Sequence, residues 1–181
     1  MKELMKAPII INALLFQCAW FACVLGSAKG LTWPSMVCFL ALATYQLQNK
    51  RRHPTDIKLL IISLVLGLFV DSFWIIGGFM VFTENGPIAQ IAPAWILFLW
   101  MSFALTINHS LGWLKNHPLL PISMGLFGGP MSYIAGLKFG AVEYLQSTLV
   151  TSVALGIAWA LSLIILVKAS QINDTQNVAS A

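Results

Sequence analysis

Six apolar stretches separated by short polar segments run the length of the chain: residues 8–26, 31–47, 57–80, 91–111, 119–137 and 141–168. At ~1.5 Å of rise per residue, helices of these lengths match a ~30 Å hydrocarbon core. The pattern predicts an all-α polytopic membrane protein. One bundle of six transmembrane helices occupies residues 1–170, and a polar C-terminal tail follows over 171–181. Within the stretches the polar and small residues keep helical spacing. Ser63, Gly67, Asp71, Trp74 and Gly78 fall within about 80° of one face. Trp95, Ser102, Thr106, His109 and Trp113 fall within about 60°, with Asn108 on the opposite side. Glu143, Ser147, Thr151, Ala154, Ala158 and Ser162 cover about 100°. Asn12, Ala19, Cys23 and Gly26 form a face small enough for close helix contact. The faces on the third, fourth and sixth spans are expected to point inward, with the Leu, Ile, Val and Phe faces toward lipid.

Local signals refine the spans. Trp33 and Tyr45 bracket the second span as interface residues, and Pro34 sits near its start, where proline is tolerated. Thr83-Glu84-Asn85-Gly86-Pro87 reads as a turn. The fifth span is the least regular. Gly125 and Gly129 form a GxxxG pair, and Ser132, Gly136 and Gly140 continue small residues at four-residue spacing. Pro130 removes a backbone hydrogen bond near the middle, so a kink is expected at Gly128-Gly129-Pro130. That segment could expose carbonyls to a ligand or form a tight helix crossing, and the crossing is the preferred reading.

Composition agrees: 59% of residues are hydrophobic and 9% charged, where a soluble domain carries ~25% charge. No separate soluble domain is left. The net charge of +4 sits in short loops and does not form a nucleic-acid surface. With the N-terminus inside, the inner segments hold Lys2, Lys6, Lys50, Arg51, Arg52, Lys58, Lys115 and Lys168, and the outer ones hold Lys29 and Lys138. This asymmetry predicts N-in/C-in. Lys2 and Lys6 ahead of an apolar run, with Gly26-Ser27-Ala28 after it, also fit a signal peptide. The run is longer than a usual signal core, so it reads as the first span. Cys18, Cys23 and Cys38 lie inside apolar runs and read as packing residues.

Asp71 is the main chemical candidate. A carboxyl inside a span costs roughly 3 kcal/mol, and such residues face the bundle interior. It reads either as a proton, cation or pocket-anchoring site or as a structural hydrogen-bonding residue. His109 lies near the inner edge, ~15 Å from Asp71 in depth, and reads as a capping or packing histidine. Tyr133, Lys138 and Glu143 match the depth of Asp71, and Lys138 could reach it as a counter-ion. The candidate set is Asp71, Trp74, Ser102, Thr106, His109, Pro130, Tyr133, Lys138 and Glu143. No HExxH, GxSxG or phosphate-binding glycine loop occurs, and no metal or cofactor is expected. The preferred function is binding or transport of a small amphipathic or lipid-like ligand in an intramembrane pocket around Asp71. A membrane enzyme or partner subunit in lipid or fatty-acid modification is one alternative, and a structural scaffold is another. Expected partners are membrane lipid, such a ligand and a membrane protein, not nucleic acid.

Asn12-Ala-Leu-Leu-Phe-Gln-Cys-Ala-Trp-Phe, Val70-Asp-Ser-Phe-Trp, Asn108-His-Ser-Leu-Gly-Trp-Leu and Gly128-Gly-Pro-Met-Ser-Tyr carry a resemblance over nearly the whole chain. The sequence resembles a family of short multi-span inner-membrane proteins of Gram-negative bacteria known as a domain of unknown function. The resemblance implies a location in the bacterial inner membrane and company with lipid-modification genes. It brings no catalytic residues.

Overall fold

The computed structural model describes the backbone of residues 2–179 and the side chains of residues 7–171, so most of the polar tail at 171–181 lies outside the described side chains. Among the described residues there are six α-helices: α1 (Lys2–Ser27), α2 (Trp33–Gln46), α3 (Asp56–Ile76), α4 (Ala94–Ala104), α5 (Leu119–Phe139) and α6 (Thr148–Ala179). A 3-10 turn (Gly112–Asn116) and two short strands, β1 (Met80–Phe82) and β2 (Val142–Tyr144), complete the chain. Three apolar segments are long enough to cross a membrane: Ala7–Ser27, Asp56–Ile76 and Thr148–Gln171.

Each expected span has a helix, but three boundaries move for identifiable reasons. The third span ends at Ile76, not at residue 80, because Gly77 and Gly78 follow and Gly78 takes a positive φ of 66°. The chain then extends into β1, which pairs antiparallel with β2 in the register Met80↔Tyr144, Val81↔Glu143 and Phe82↔Val142. The sixth helix therefore starts at Thr148 rather than at 141. Val150 N donates to Ser147 Oγ, so Ser147 acts as an N-cap and not as an interior residue. Glu143, expected on the inward face of the sixth span, lies exposed on β2.

The fourth helix is the shortest, 11 residues, and stops at Ala104 rather than near 111. Polar side chains take over its carbonyls. Thr106 Oγ1 donates to Phe103 O at 2.6 Å, and Asn12 Nδ2 of α1 donates to Leu105 O at 3.0 Å. Such bonds compete with helix continuation, and residues 105–111 become a series of turns.

On α3 the expected inward residues Ser63, Gly67, Asp71 and Trp74 are buried, and on α1 the small face of Asn12, Ala19, Cys23 and Gly26 is buried as well. Phe69, Ile76, Phe127 and Leu149 are among the large apolar residues left exposed. The tight crossing expected at the GxxxG pair joins α5 to α6. A Cβ on Gly125 would lie 2.4 Å from Ala160 Cα, and one on Gly129 would lie 2.4 Å from Trp159 Cγ. The helix α5 continues through Pro130 without interruption.

One core cluster, with Trp74, Met80, Phe82, Trp95, Trp100, Tyr133 and Leu155, lies toward the strand ribbon. Another, with Leu59, Phe103, Ile107, Leu114 and Leu163, fills the opposite end. The site lies where these two clusters meet.

Candidate functional site

The site begins with the spacing of Gly67 and Asp71 on α3. A Cβ on Gly67 would lie 2.5 Å from Trp100 Cδ1, so the glycine lets the indole of α4 lie against α3. One turn on, Trp100 Nε1 donates to Asp71 Oδ2 at 2.6 Å. From α5, the Tyr133 hydroxyl donates to Asp71 Oδ1 at 2.5 Å. The carboxyl is 0% exposed and ties three helices together. Trp100 in turn stacks on Trp159 of α6, with ring centroids 4.4 Å apart and planes 11° from parallel.

On the other side of these two residues is a cavity of about 240 Å³. Phe16, Gln17 and Trp20 of α1 line it, with Ile96, Leu99, Trp100 and Phe103 of α4. Met124, Gly128, Gly129, Ser132 and Tyr133 of α5 and Trp159 and Leu163 of α6 close it. A second cavity of about 20 Å³ shares Ile96, Leu99, Ser132 and Tyr133 and extends toward the ribbon. Among the described residues, no ionisable carboxylate, amine or imidazole lines the larger cavity. Asp71 is not part of its surface; it positions Trp100 and Tyr133, which are. Trp20 Nε1 donates to Ser132 Oγ at 2.8 Å across one edge.

The other candidates disperse. Trp74 packs edge-on against Phe73 and Phe79 in the ribbon-side core. Ser102 is buried, Thr106 is spent on Phe103 O, and Pro130 is buried in α5 beside Gly129. Lys138 is exposed in the last turn of α5, while Asp71 takes its hydrogen bonds from Trp100 and Tyr133.

His109 belongs to a second polar network at the far end of the bundle. Its Nε2 lies 3.0 Å from Asp56 Oδ2, and its Nδ1 lies 3.1 Å from Gln46 Nε2. An amide nitrogen only donates, so Nδ1 accepts and the Nε2 proton points at Asp56. Asn12 Nδ2 donates to Gln46 Oε1 at 2.8 Å, and Ser110 Oγ donates to Asn12 Oδ1 at 2.6 Å. Asn108 Nδ2 donates to Asp56 Oδ1 at 2.8 Å, and Lys115 Nζ donates to Asn108 Oδ1 at 2.6 Å. Helical spacing had put Asn108 and His109 on different faces. Because this segment is a turn, both reach Asp56. Both ring nitrogens of His109 are engaged, which suits a fastening role at the break after α4. Asp56→Asn replaces one acceptor with a donor facing donors. It should lower stability by about 2 kcal/mol, read by thermal unfolding of the purified protein; an unchanged unfolding temperature would remove the fastening role.

Trp20, Trp100, Trp159 and Gln17 at the cavity, and Asp56, Gln46 and Asn12 in the network, were not singled out as site residues from the sequence. Gly67, four residues before Asp71, was the one local signal that something large packs against that turn.

The family described as protein of unknown function (DUF2878) matches residues 9–165, and the chain belongs to that family. No curated protein and no solved structure matches the chain.

Proposed function

We propose that this DUF2878 protein is an integral membrane protein of the bacterial inner membrane that binds a small amphipathic or lipid-like ligand in its interior, for storage, sensing or transfer across the bilayer. The observation that carries this reading is the cavity of about 240 Å³, walled by aromatic rings and fixed by a buried carboxyl. Apolar cavities of ~150 Å³ already admit a benzene ring. Ligand sites are apolar hollows with a few placed polar groups, and Gln17, Ser132 and Tyr133 supply those here. Catalysis is less well supported. Of the titratable pairs in direct contact, Asp71 and Tyr133 are buried with the carboxyl off the cavity surface, and Asp56 and His109 lie in the other network with the imidazole fully engaged.

Six helices with both termini inside are the proposed topology, with α5 bent at Gly128-Gly129-Pro130. The basic loop at 48–56 supports an inner location for that end. Reporter fusions at Thr83 and Ala181 should report opposite sides of the membrane; the same side for both would remove the model.

Because Trp20, Trp100 and Trp159 line the cavity, ligand entry should change tryptophan emission. Mass spectrometry of small molecules retained through purification in mild detergent tests the reading. A retained species of lipid-like character at near one per chain is expected. Protein that retains only the lipids present in bulk, in bulk proportions, would refute it.

A further inference from the structure

We infer that the cavity takes an uncharged, single-chain lipid bearing one hydrogen-bonding oxygen, which enters sideways between α1 and α5 past Gly128 and sets its oxygen between Gln17 and Ser132. This rests on the ligand-binding reading above and names the ligand class and its route.

The route follows from where α1 and α5 touch. Trp20 donates to Ser132, and the rings of Trp20 and Phe21 pack edge-on against Phe139. One turn away, Gln17 and Gly128 line the cavity from opposite helices, and both are exposed. The cavity is therefore open to the side at that level. Gly128 differs from its neighbours in what surrounds it. Gly125 and Gly129 are required by the crossing with α6, but a Cβ on Gly128 would meet only Met124 Cγ of its own helix, at 3.7 Å. The missing side chain at this position leaves the opening clear.

The chemistry follows from the lining. Gln17 sits at the middle of the apolar segment Ala7–Ser27, and its amide has no hydrogen-bond partner among the described residues. A polar amide facing hydrocarbon is unfavourable unless something bonds to it. Ser132 Oγ accepts from Trp20 and keeps its own proton for a further acceptor. Together they offer donors and an acceptor at one level of the cavity. Among the described residues no charged side chain lines the space, and Asp71 is sealed behind Trp100 and Tyr133. A carboxylate or phosphate would enter without a counter-charge, so a neutral oxygen is favoured.

The test uses the full-length protein in lipid nanodiscs and three photoreactive probes of equal chain length: a fatty alcohol, the matching fatty carboxylate at pH 8, and the matching alkane. Labelled peptides are mapped by mass spectrometry. The alcohol should label α1 around Phe16 to Trp20 and α5 around Gly128, well above the carboxylate. Gly128→Leu places a bulky side chain at the opening, where an added Cβ would meet nothing closer than 3.7 Å, and should cut labelling at least tenfold with an unchanged unfolding temperature. Gln17→Leu should weaken alcohol labelling about tenfold and leave the alkane unchanged. Equal labelling by carboxylate and alcohol would overturn the assignment, as would equal loss of alcohol and alkane in Gln17→Leu. A cavity that rejects the alcohol yet retains another molecule also overturns it, while the ligand-binding reading stands. If none of the three probes labels the cavity and nothing is retained, both readings fall.

Discussion

Asp71→Leu should cost about 3 kcal/mol of stability and abolish retention of the proposed ligand, whereas Asp71→Asn should cost under about 1 kcal/mol and keep it. The asymmetry follows from what the carboxyl holds. Trp100 Nε1 and the Tyr133 hydroxyl both donate to it inside a fully buried site. Leucine keeps the branched shape but accepts nothing, so two buried donors lose their partner at ~1–3 kcal/mol each, partly offset by apolar burial. Asparagine can accept from Trp100 through its oxygen and donate to the Tyr133 oxygen through its nitrogen, since a phenol does either. Thermal unfolding in detergent and retained-ligand mass spectrometry give the two readouts. A folded Asp71→Asn protein that has lost its ligand would show that ionisation, and not positioning, is what the site needs.

Gly125→Ala should be about as damaging, while Gly128→Ala three residues away should be harmless or stabilising by up to about 1 kcal/mol. A methyl group on Gly125 would lie 2.4 Å from the Cα and N of Ala160, which are backbone atoms. They cannot rotate away, so α5 and α6 must separate and lose packing along the crossing. Overpacking of this kind costs about 3 kcal/mol where the neighbour cannot yield. On Gly129 the obstacle is the Trp159 ring, 2.4 Å from the added carbon. Gly129→Ala should therefore displace Trp159 from its stack on Trp100 and shift the tryptophan emission. Unfolding temperatures for the three alanine variants, measured side by side, should rank Gly128 above Gly129 and Gly125. Equal stability in all three would contradict the crossing geometry.

The helices and their inward faces were legible because a membrane segment must be long, apolar and internally hydrogen-bonded, and polar residues must recur at helical spacing. Asp71, Gly67 and Ser63 could be placed by that rule alone. The ends of the helices were harder to read. The chain between Phe79 and Phe82 is as apolar as the helix before it, and only its pairing with residues 142–144, far along the sequence, makes it a strand. The break after Ala104 depends on Asn12, which is 93 positions from the Leu105 carbonyl it meets. Tyr133 was matched to Asp71 by depth. Trp100 was not, because a tryptophan in an apolar run carries no sign of which partner its indole nitrogen will find.

The β1–β2 ribbon also constrains the timing of biosynthesis. Met80 pairs with Tyr144, 64 positions later. At a synthesis rate of ~5–20 residues per second, β1 waits about 3–13 s for its partner. During that interval α4 and α5 are made while the strand following α3 has an open edge. An arrested or truncated chain ending before Val142 keeps that edge permanently. Such a fragment would present an unpaired strand at one end of a half-built bundle, the feature by which a quality-control protease could tell it from the finished molecule.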